Sequence, residues 1–404
     1  MKAVVVALGK IGLPLAARFA LAGHEVVGCD VDGRVVDAVN AAHPPFPNEA
    51  GLAEALAETV ADGRLRATTD TAAAVAEGPD LVVLVPPLMV DAAAQPDWRI
   101  LDAVVEDVGR GLRPGTIVAV ETTVPVGTTR DRVAAALGSD EVVFSPERVY
   151  SGRVLHDLDT YPKLVGGVTD AAEERAAALY AEGLPEAEVW RMGSSEAAEL
   201  AKLAETTYRD INIAFANELA RHADAIGVDV TRVIEAANSQ PFSHIHRPGV
   251  AVGGHCIPVY PRFFLAGAPE ARLPMVAREV NLSMPSYAVG LLGDVAGRLV
   301  LVLGITYRGR VKETAFSGAF ALRDELARRG ARVVAADPLF DDDELRAEGF
   351  EPWDGGPVDA VVVQADHPEY GELDVPGARI VVDGRGSVHR VPEGVRLRRI
   401  GRPS

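Results

Sequence analysis

The sequence predicts an α/β protein made of two doubly wound parallel-sheet domains joined by a long helix. Three observations predict it. Short continuous apolar runs, such as residues 3–8, alternate with amphipathic stretches, which is how strands covered on both faces read. That alternation stops near residue 193 and resumes near Arg298. Between the two, residues 194–226 keep helical spacing through Leu200, Leu203, Thr207, Asp210, Ile211 and Ala214, with no glycine or proline inside. Domain boundaries are expected at 1–193, 194–290 and 291–404.

The first strand, residues 3–8, runs into Ala7-Leu8-Gly9-Lys10-Ile11-Gly12, and a helix is expected over 13–22. A second strand, 25–29, ends at Asp30. This is a βαβ opening with a dinucleotide fingerprint in its proper context, so the fold is Rossmann-like. Gly9 lets a pyrophosphate approach the backbone and Gly12 lets the helix pack closely, while Lys10 and Ile11 lie in the turn between them. The helix start supplies N–H donors and a positive dipole end. Asp30 is placed to bond a ribose diol and to repel a 2′-phosphate, which favours NAD over NADP. Ala7 stands at the first glycine position, so an altered turn is expected there.

Further strands are expected at 81–85, 117–120 and 142–144, with the proline-rich stretch 40–50 as an insertion. Carboxyl ends of parallel strands face the ligand crevice. Thr123, in Glu121-Thr122-Thr123-Val124-Pro125, and Glu147, in Ser145-Pro146-Glu147-Arg148, are therefore candidate site residues. A helix cap for the threonine and a solvated loop charge for the glutamate remain open at this point. Lys202 lies inside the long helix. Only five of the 40 basic residues are lysine, at positions 2, 10, 163, 202 and 312. An arginine would serve any generic salt bridge, whereas a lysine places a compact ammonium against a reacting oxygen.

The second unit has strands expected at 299–303, 333–336, 360–364 and 380–383, with a helix over 319–329. The basic tail after Arg390 is expected to be an edge or disordered.

Gly253-Gly254-His255-Cys256-Ile257-Pro258 stands out between the units. With two cysteines in the chain, no disulfide framework is expected. The loop alone fits two readings equally, a thiolate nucleophile or a small residue in a tight turn.

Composition is that of a soluble globular protein, 48% hydrophobic and 24% charged. The formal net charge of −18 argues against nucleic acid or an anionic membrane as partner, while leaving a small anionic ligand open. Lys10 and Arg18 interrupt the apolar N-terminal stretch, so a strand, turn and helix are expected there rather than a secretory signal. No apolar segment is long enough to span a bilayer, and a cytoplasmic protein is expected.

With these residues in place the chain resembles the UDP-glucose/GDP-mannose dehydrogenase family, collinearly and along nearly its whole length. The resemblance rests on the fingerprint, the Thr-Thr-Val-Pro-x-Gly-Thr loop, Ser-Pro-Glu-Arg, the Lys202 helix with Tyr-Arg-Asp-Ile-Asn-Ile-Ala-Phe-Ala-Asn-Glu, Gly-Gly-His-Cys and Asp337-Pro338. Ser-Pro-Glu-Arg-Val and Gly-Gly-His-Cys-Ile-Pro-Val look more like UDP-N-acetylhexosamine 6-dehydrogenases than UDP-glucose enzymes. The resemblance implies NAD as cofactor, a nucleotide-sugar substrate, a homodimer and no metal. It implies two oxidations of the sugar C6 alcohol, with Cys256 as nucleophile, Lys202 as oxyanion stabiliser, Glu147 as the base that activates water, and Thr123 holding a water.

It also implies substrate contacts from Arg148, Asn212, Arg247, the Gly253–Gly254 pair and Arg308, the last standing where the family has lysine. Four positions depart from the pattern. Thr206 replaces an asparagine, Tyr260 an aspartate, Ala315 an arginine, and Pro86 a cofactor-facing threonine. Two further readings therefore stay open: a two-electron oxidation that stops at the aldehyde, or binding of NAD and nucleotide sugar without full turnover.

Overall fold

The computed structural model describes residues 1–403 except 48, 92 and 151. These fall into two compact units, Met1–Glu205 with Arg262–Gly267, and Thr206–Pro261 with Ala268–Ser404.

The first unit is built on an eight-stranded sheet. Its strands in chain order are β1 (Lys2–Val6), β2 (Glu25–Cys29), β3 (Leu65–Thr68), β4 (Leu81–Leu84), β5 (Ile117–Val120), β6 (Val142–Phe144), β7 (Lys163–Gly167) and β8 (Val189–Arg191). The spatial order is β8-β7-β6-β5-β4-β1-β2-β3. Every neighbouring pair is parallel except β6 with β7. The central strands are buried along their length, as their unbroken runs of valine, leucine and alanine require. Helix α1 (Gly12–Leu21) follows β1, and α2 (Asp170–Gly183) follows β7. The core packs Leu13, Ala16, Phe19 and Ala20 of α1 against Val5, Leu56, Val165 and Tyr180.

Helix α3 (Ser195–Ile226) is the long helix expected from the pattern, 32 residues without a break. The second unit adds α4 (Val230–Asn238), the start of α5 (Cys256–Gly267), whose residues from Arg262 on belong to the first unit, α6 (Arg272–Leu291) and α7 (Gly318–Arg328). Its sheet holds β9 (Leu299–Leu303), β10 (Arg332–Ala336), β11 (Ala360–Val363), β12 (Ile380–Asp383) and β13 (Arg396–Arg399), all parallel, in the order β10-β9-β11-β12-β13. The basic tail is thus an edge strand. Its arginines suit an edge, where like charges discourage pairing with another chain.

The switch points of both sheets fall where a doubly wound sheet places its ligand crevice. In each, the first strand has the second on one side and a later one on the other. Among the described residues no helix is long and apolar enough to cross a membrane.

Candidate active site

At the end of β1 the chain turns through the fingerprint. Ala7 takes a left-handed backbone, φ 76°, which is the conformation a glycine would supply. The turn is therefore kept, not altered, and the alanine bears the strain. A Cβ on Gly12 would lie 2.0 Å from the Ala7 carbonyl oxygen, so only glycine lets α1 start against the strand. Gly9 and Lys10 are exposed at the tip, and Gly9 faces open space.

Asp30 accepts hydrogen bonds from the Leu8 N–H at 2.8 Å and the Asp32 N–H at 2.9 Å. That fixes a half-exposed carboxylate beside the turn. Open glycine tip, helix start and anchored acid fit a dinucleotide. At the end of β4, the Pro86 carbonyl accepts the Thr122 hydroxyl at 2.5 Å, and Thr123 is buried next to it.

Glu199, on the first turns of α3, holds the loop after Thr123. Its carboxylate takes the Gly127 N–H at 2.6 Å, the Thr129 N–H at 2.8 Å and the Thr129 hydroxyl at 2.6 Å. Burial raises its pKa to about 7, against the opposing pull of those donors. One turn further on, Lys202 is buried and donates to the Glu147 main-chain carbonyl at 2.5 Å and to Glu205 at 3.0 Å. Glu205 also takes Arg148 at 2.9 Å. The structure thus brings Lys202, Glu147 and Arg148 together within the first unit, with Glu205 as the unforeseen link.

In the second unit Cys256 is exposed and opens α5. Gly254 before it is left-handed, φ 85°, and a Cβ there would press on the Tyr307 ring at 3.2 Å. The loop is pinned at many points. Gly249 N–H donates to Asn217 at 2.9 Å, Val250 N–H to the Gly384 carbonyl at 2.9 Å, and Gly254 N–H to the Ala315 carbonyl at 2.9 Å. Arg385 donates to the Ala251 carbonyl at 3.2 Å.

Buried Asp210 of α3 takes Arg278 and Asn281, both at 2.8 Å, and Asn281 accepts from Asn217 at 2.9 Å. The loop carrying the cysteine is therefore held by a buried polar network, which makes its geometry specific.

His255 contacts Glu313 at 2.6 Å, so the glutamate of the departed Asp-x-Arg pattern still serves the loop. Tyr307 has its pKa pushed up to about 12 by burial, with the negative charges of Glu313 and Cys256 adding to it. Arg308 lies over the Tyr307 ring at 5.6 Å, and burial lowers its pKa. Asn212 clamps the backbone ahead of Arg247, donating to the His244 carbonyl at 2.7 Å and accepting from the His246 N–H at 2.8 Å. Arg247 borders a cavity of 570 Å³ shared with Arg385, Arg399 and Arg402. Thr206 is buried one turn after Lys202, and Tyr260 follows Cys256 by one turn of α5. The other cysteine, Cys29, is fully buried on β2, and burial raises its pKa to about 12.

Three models of one family match in sequence order. The UDP-glucose/GDP-mannose dehydrogenase family NAD binding domain matches residues 1–183, its central domain 196–282 and its UDP binding domain 301–390. The UDP-N-acetyl-D-mannosamine dehydrogenase of Pyrococcus horikoshii is 32% identical over 432 aligned positions, covering 100% of this chain and 99% of that one. The NDP-N-acetyl-D-galactosaminuronic acid dehydrogenase of Ralstonia solanacearum is 33% identical, covering 95% of each. Among solved structures, the Pyrococcus horikoshii UDP-D-ManNAc dehydrogenase superposes with a TM-score of 0.88 at 30% identity, over 100% of this chain and 99% of that one. A UDP-glucose dehydrogenase from Pyrobaculum islandicum gives 0.87 at 30% identity, over 98% of each.

Proposed function

The chain belongs to the UDP-glucose/GDP-mannose dehydrogenase family, and from that premise we propose that it oxidises the C6 alcohol of a UDP-linked N-acetylhexosamine twice, to the uronate. The observation that carries this reading is an exposed Cys256 at the start of a helix, on a loop held by a buried polar network. A structural cysteine would be buried, as Cys29 is.

NAD would be held by Gly9, Lys10, Ile11, Gly12 and Asp30, with Pro86 and Thr123 also assigned to its site, and would supply a hydride acceptor for each oxidation. The Cys256 sulfur adds to the C6 aldehyde, giving a thiohemiacetal. Loss of hydride from that carbon leaves a thioester. Lys202, already held in a buried, hydrogen-bonded position, steadies the negative oxygen of the tetrahedral centre. Glu147 takes a proton from water, the water oxygen bonds the acyl carbon, and the carbon–sulfur bond breaks with its electron pair on sulfur. Arg148 and Thr206 flank these groups on the substrate side. The diphosphate is assigned to the second unit, where Arg308 and Arg247 supply cations in a chain of net charge −18. Gly253 and Gly254 admit the sugar, Asn212 sets the backbone before Arg247, and Tyr260 supplies a hydroxyl where the family has a carboxylate.

A homodimer belongs to the same proposal. Tyr208 and Phe215 on α3 and Leu282 on α6 are about half exposed, an apolar surface suited to a second copy.

The test is the number of NADH molecules formed per sugar at substrate exhaustion, across UDP-linked hexoses and N-acetylhexosamines, with the product mass recorded. Two NADH and a uronate are expected. Mass spectrometry after brief turnover should find the adduct on Cys256 and none on Cys29. One NADH with a trapped aldehyde supports the two-electron reading, and undiminished uronate from Cys256→Ala refutes the nucleophile.

A further inference from the structure

Lysine scarcity singles out Lys163 as well as Lys202, and the proposed chemistry leaves Lys163 unused. It begins β7, is 4% exposed, and points its ammonium between two carboxylates. Glu121, which follows the last residue of β5, lies 2.9 Å away, and Glu147, beyond β6, makes a direct hydrogen bond. Tyr180 of α2 completes the cluster. Its hydroxyl donates to Glu121 at 2.5 Å, and its ring lies 4.9 Å from the Lys163 nitrogen. The second Glu121 oxygen is buried with no hydrogen-bond partner among the described residues. Lys202 of α3 meets the cluster through the Glu147 carbonyl, and Ser145, just past the end of β6, gives its hydroxyl to the Leu164 carbonyl.

Two buried carboxylates share one ammonium here. If both were ionised, one negative charge would be left without compensation in a dry site, which proteins avoid by protonating a group. Burial drives Glu121 well above the ordinary carboxylate range, with Glu147 reinforcing it and Lys163 opposing it. Burial alone would lower Lys163, but Glu121 and Glu147 more than offset it and the lysine stays a cation. The orphan oxygen of Glu121 is the natural seat of the proton.

We propose that Lys163 and Glu121 are positioning residues for Glu147: Lys163 holds the Glu147 carboxylate in one orientation, while Glu121 carries the proton the cluster must retain. This rests on the reading of Glu147 as the base that activates water. In that step a water proton passes to Glu147, the water oxygen bonds the thioester carbon, the sulfur of Cys256 leaves with the bonding pair, and the proton then returns to sulfur or solvent.

The test reads the carboxyls directly and the chemistry separately. Isotope-edited infrared spectra of the full chain at neutral pH should show, beside the signal of Glu199, a protonated, water-excluded carboxyl that is lost in Glu121→Gln and lost too in Glu147→Gln, where Glu121 is left as the one counter-charge of Lys163. The positioning role is read in Lys163→Met; if that variant does not fold, Glu121→Gln, which exchanges a neutral carboxyl for a neutral amide and leaves Lys163 paired with Glu147, is read instead.

In single turnover either variant should accumulate acylated Cys256 and release uronate more slowly by on the order of 10²-fold, with the first NADH formed near the wild-type rate. Thioester hydrolysis at the wild-type rate in both variants, or no protonated carboxyl beyond that of Glu199 in the wild type, overturns the proposal. If the infrared signals are as stated but no sugar yields uronate, the two-oxidation reading fails and the assignment of charge within the cluster stands.

Discussion

The two sheets turn the same corner with the same hydrogen bonds and then part company. After β1, Ala7 donates its N–H to the last carbonyl of β2 at 2.8 Å; after β9, Gly304 donates to the last carbonyl of β10 at 2.8 Å. Leu8 gives its N–H to Asp30 at 2.8 Å, and Ile305 gives its own to Asp337 at 2.8 Å. Both corner residues are left-handed, at φ 76° and 88°. Beyond that point the first unit enters α1 at Gly12, while the second runs through residues 305–317 before α7. The first unit can meet a pyrophosphate with helix N–H groups. The second carries Tyr307, Arg308 and Glu313 on its longer loop, where the proposed function puts Arg308 on the diphosphate. One corner is built twice, and the chain leaves it by a helix in one unit and by a loop in the other.

The paired aspartates give the largest expected effects. Asp337 is buried and takes the N–H groups of Ile305, Thr306 and Leu339 along with the Thr306 hydroxyl. Burial pushes its pKa up, but His367 and the backbone donors more than offset that and hold it below the ordinary value. A depressed folded pKa means its stabilising contribution is full at neutral pH and is lost as pH falls below about 4. Asp337→Ala strands buried donors and should cost roughly 3 kcal/mol or more, seen as a lower midpoint in urea unfolding at pH 7. It should also flatten the acid limb of stability, and NAD affinity of the folded protein should not change.

Asp30→Ala should do the reverse. It removes two hydrogen bonds from a half-exposed group, so stability should fall by only about 1 kcal/mol. NAD affinity by calorimetry should fall roughly ten- to a hundredfold, the worth of a charged hydrogen bond, and discrimination against NADP should disappear. Equal effects of the two substitutions on NAD binding would break the comparison.

Gly304→Ala comes next. Its Cβ would lie 2.5 Å from the Ala365 Cβ and 2.9 Å from the Ala365 nitrogen, on top of the left-handed backbone. About 2 kcal/mol of destabilisation is expected, of the size that overpacking and backbone strain produce together.

Much of this organisation is legible in residues that act locally. The strands at 117–120 and 142–144 read as apolar runs, the turn reads from Gly9 and Gly12, and the cysteine loop from its paired glycines. Long-range partners leave no such trace. Nothing in Tyr161-Pro162-Lys163 announces that its lysine will meet Glu121, because only the crossing of β7 beside β6 joins them. Glu199 and Glu205 look like solvated helix charges until the loop after Thr123 and the side chain of Arg148 fold onto them. The tail is readable as an edge from its basic character, yet its pairing with β12 depends on a register that composition does not state.

Ala7 is the place where a sequence rule and the structure differ, and it supports the smallest prediction. A missing first glycine suggests a changed turn, but the corner hydrogen bonds to β2 and Asp30 keep the left-handed backbone. An L-residue in that region costs roughly 1–2 kcal/mol. Ala7→Gly removes that strain, but it also loosens the unfolded chain, which offsets about 0.4–1 kcal/mol. The net gain should be about 0.5 kcal/mol by urea unfolding, with NAD affinity unchanged. Set against Gly304→Ala, the same exchange in the opposite direction, the two changes should differ in sign and be several-fold unequal in size. The corner in the second unit has Ala365 packed against it, and the one in the first unit carries its methyl group already. A gain in NAD affinity from Ala7→Gly would mean that the alanine distorts the turn toward the ligand after all, and that the two corners are less alike than their hydrogen bonds.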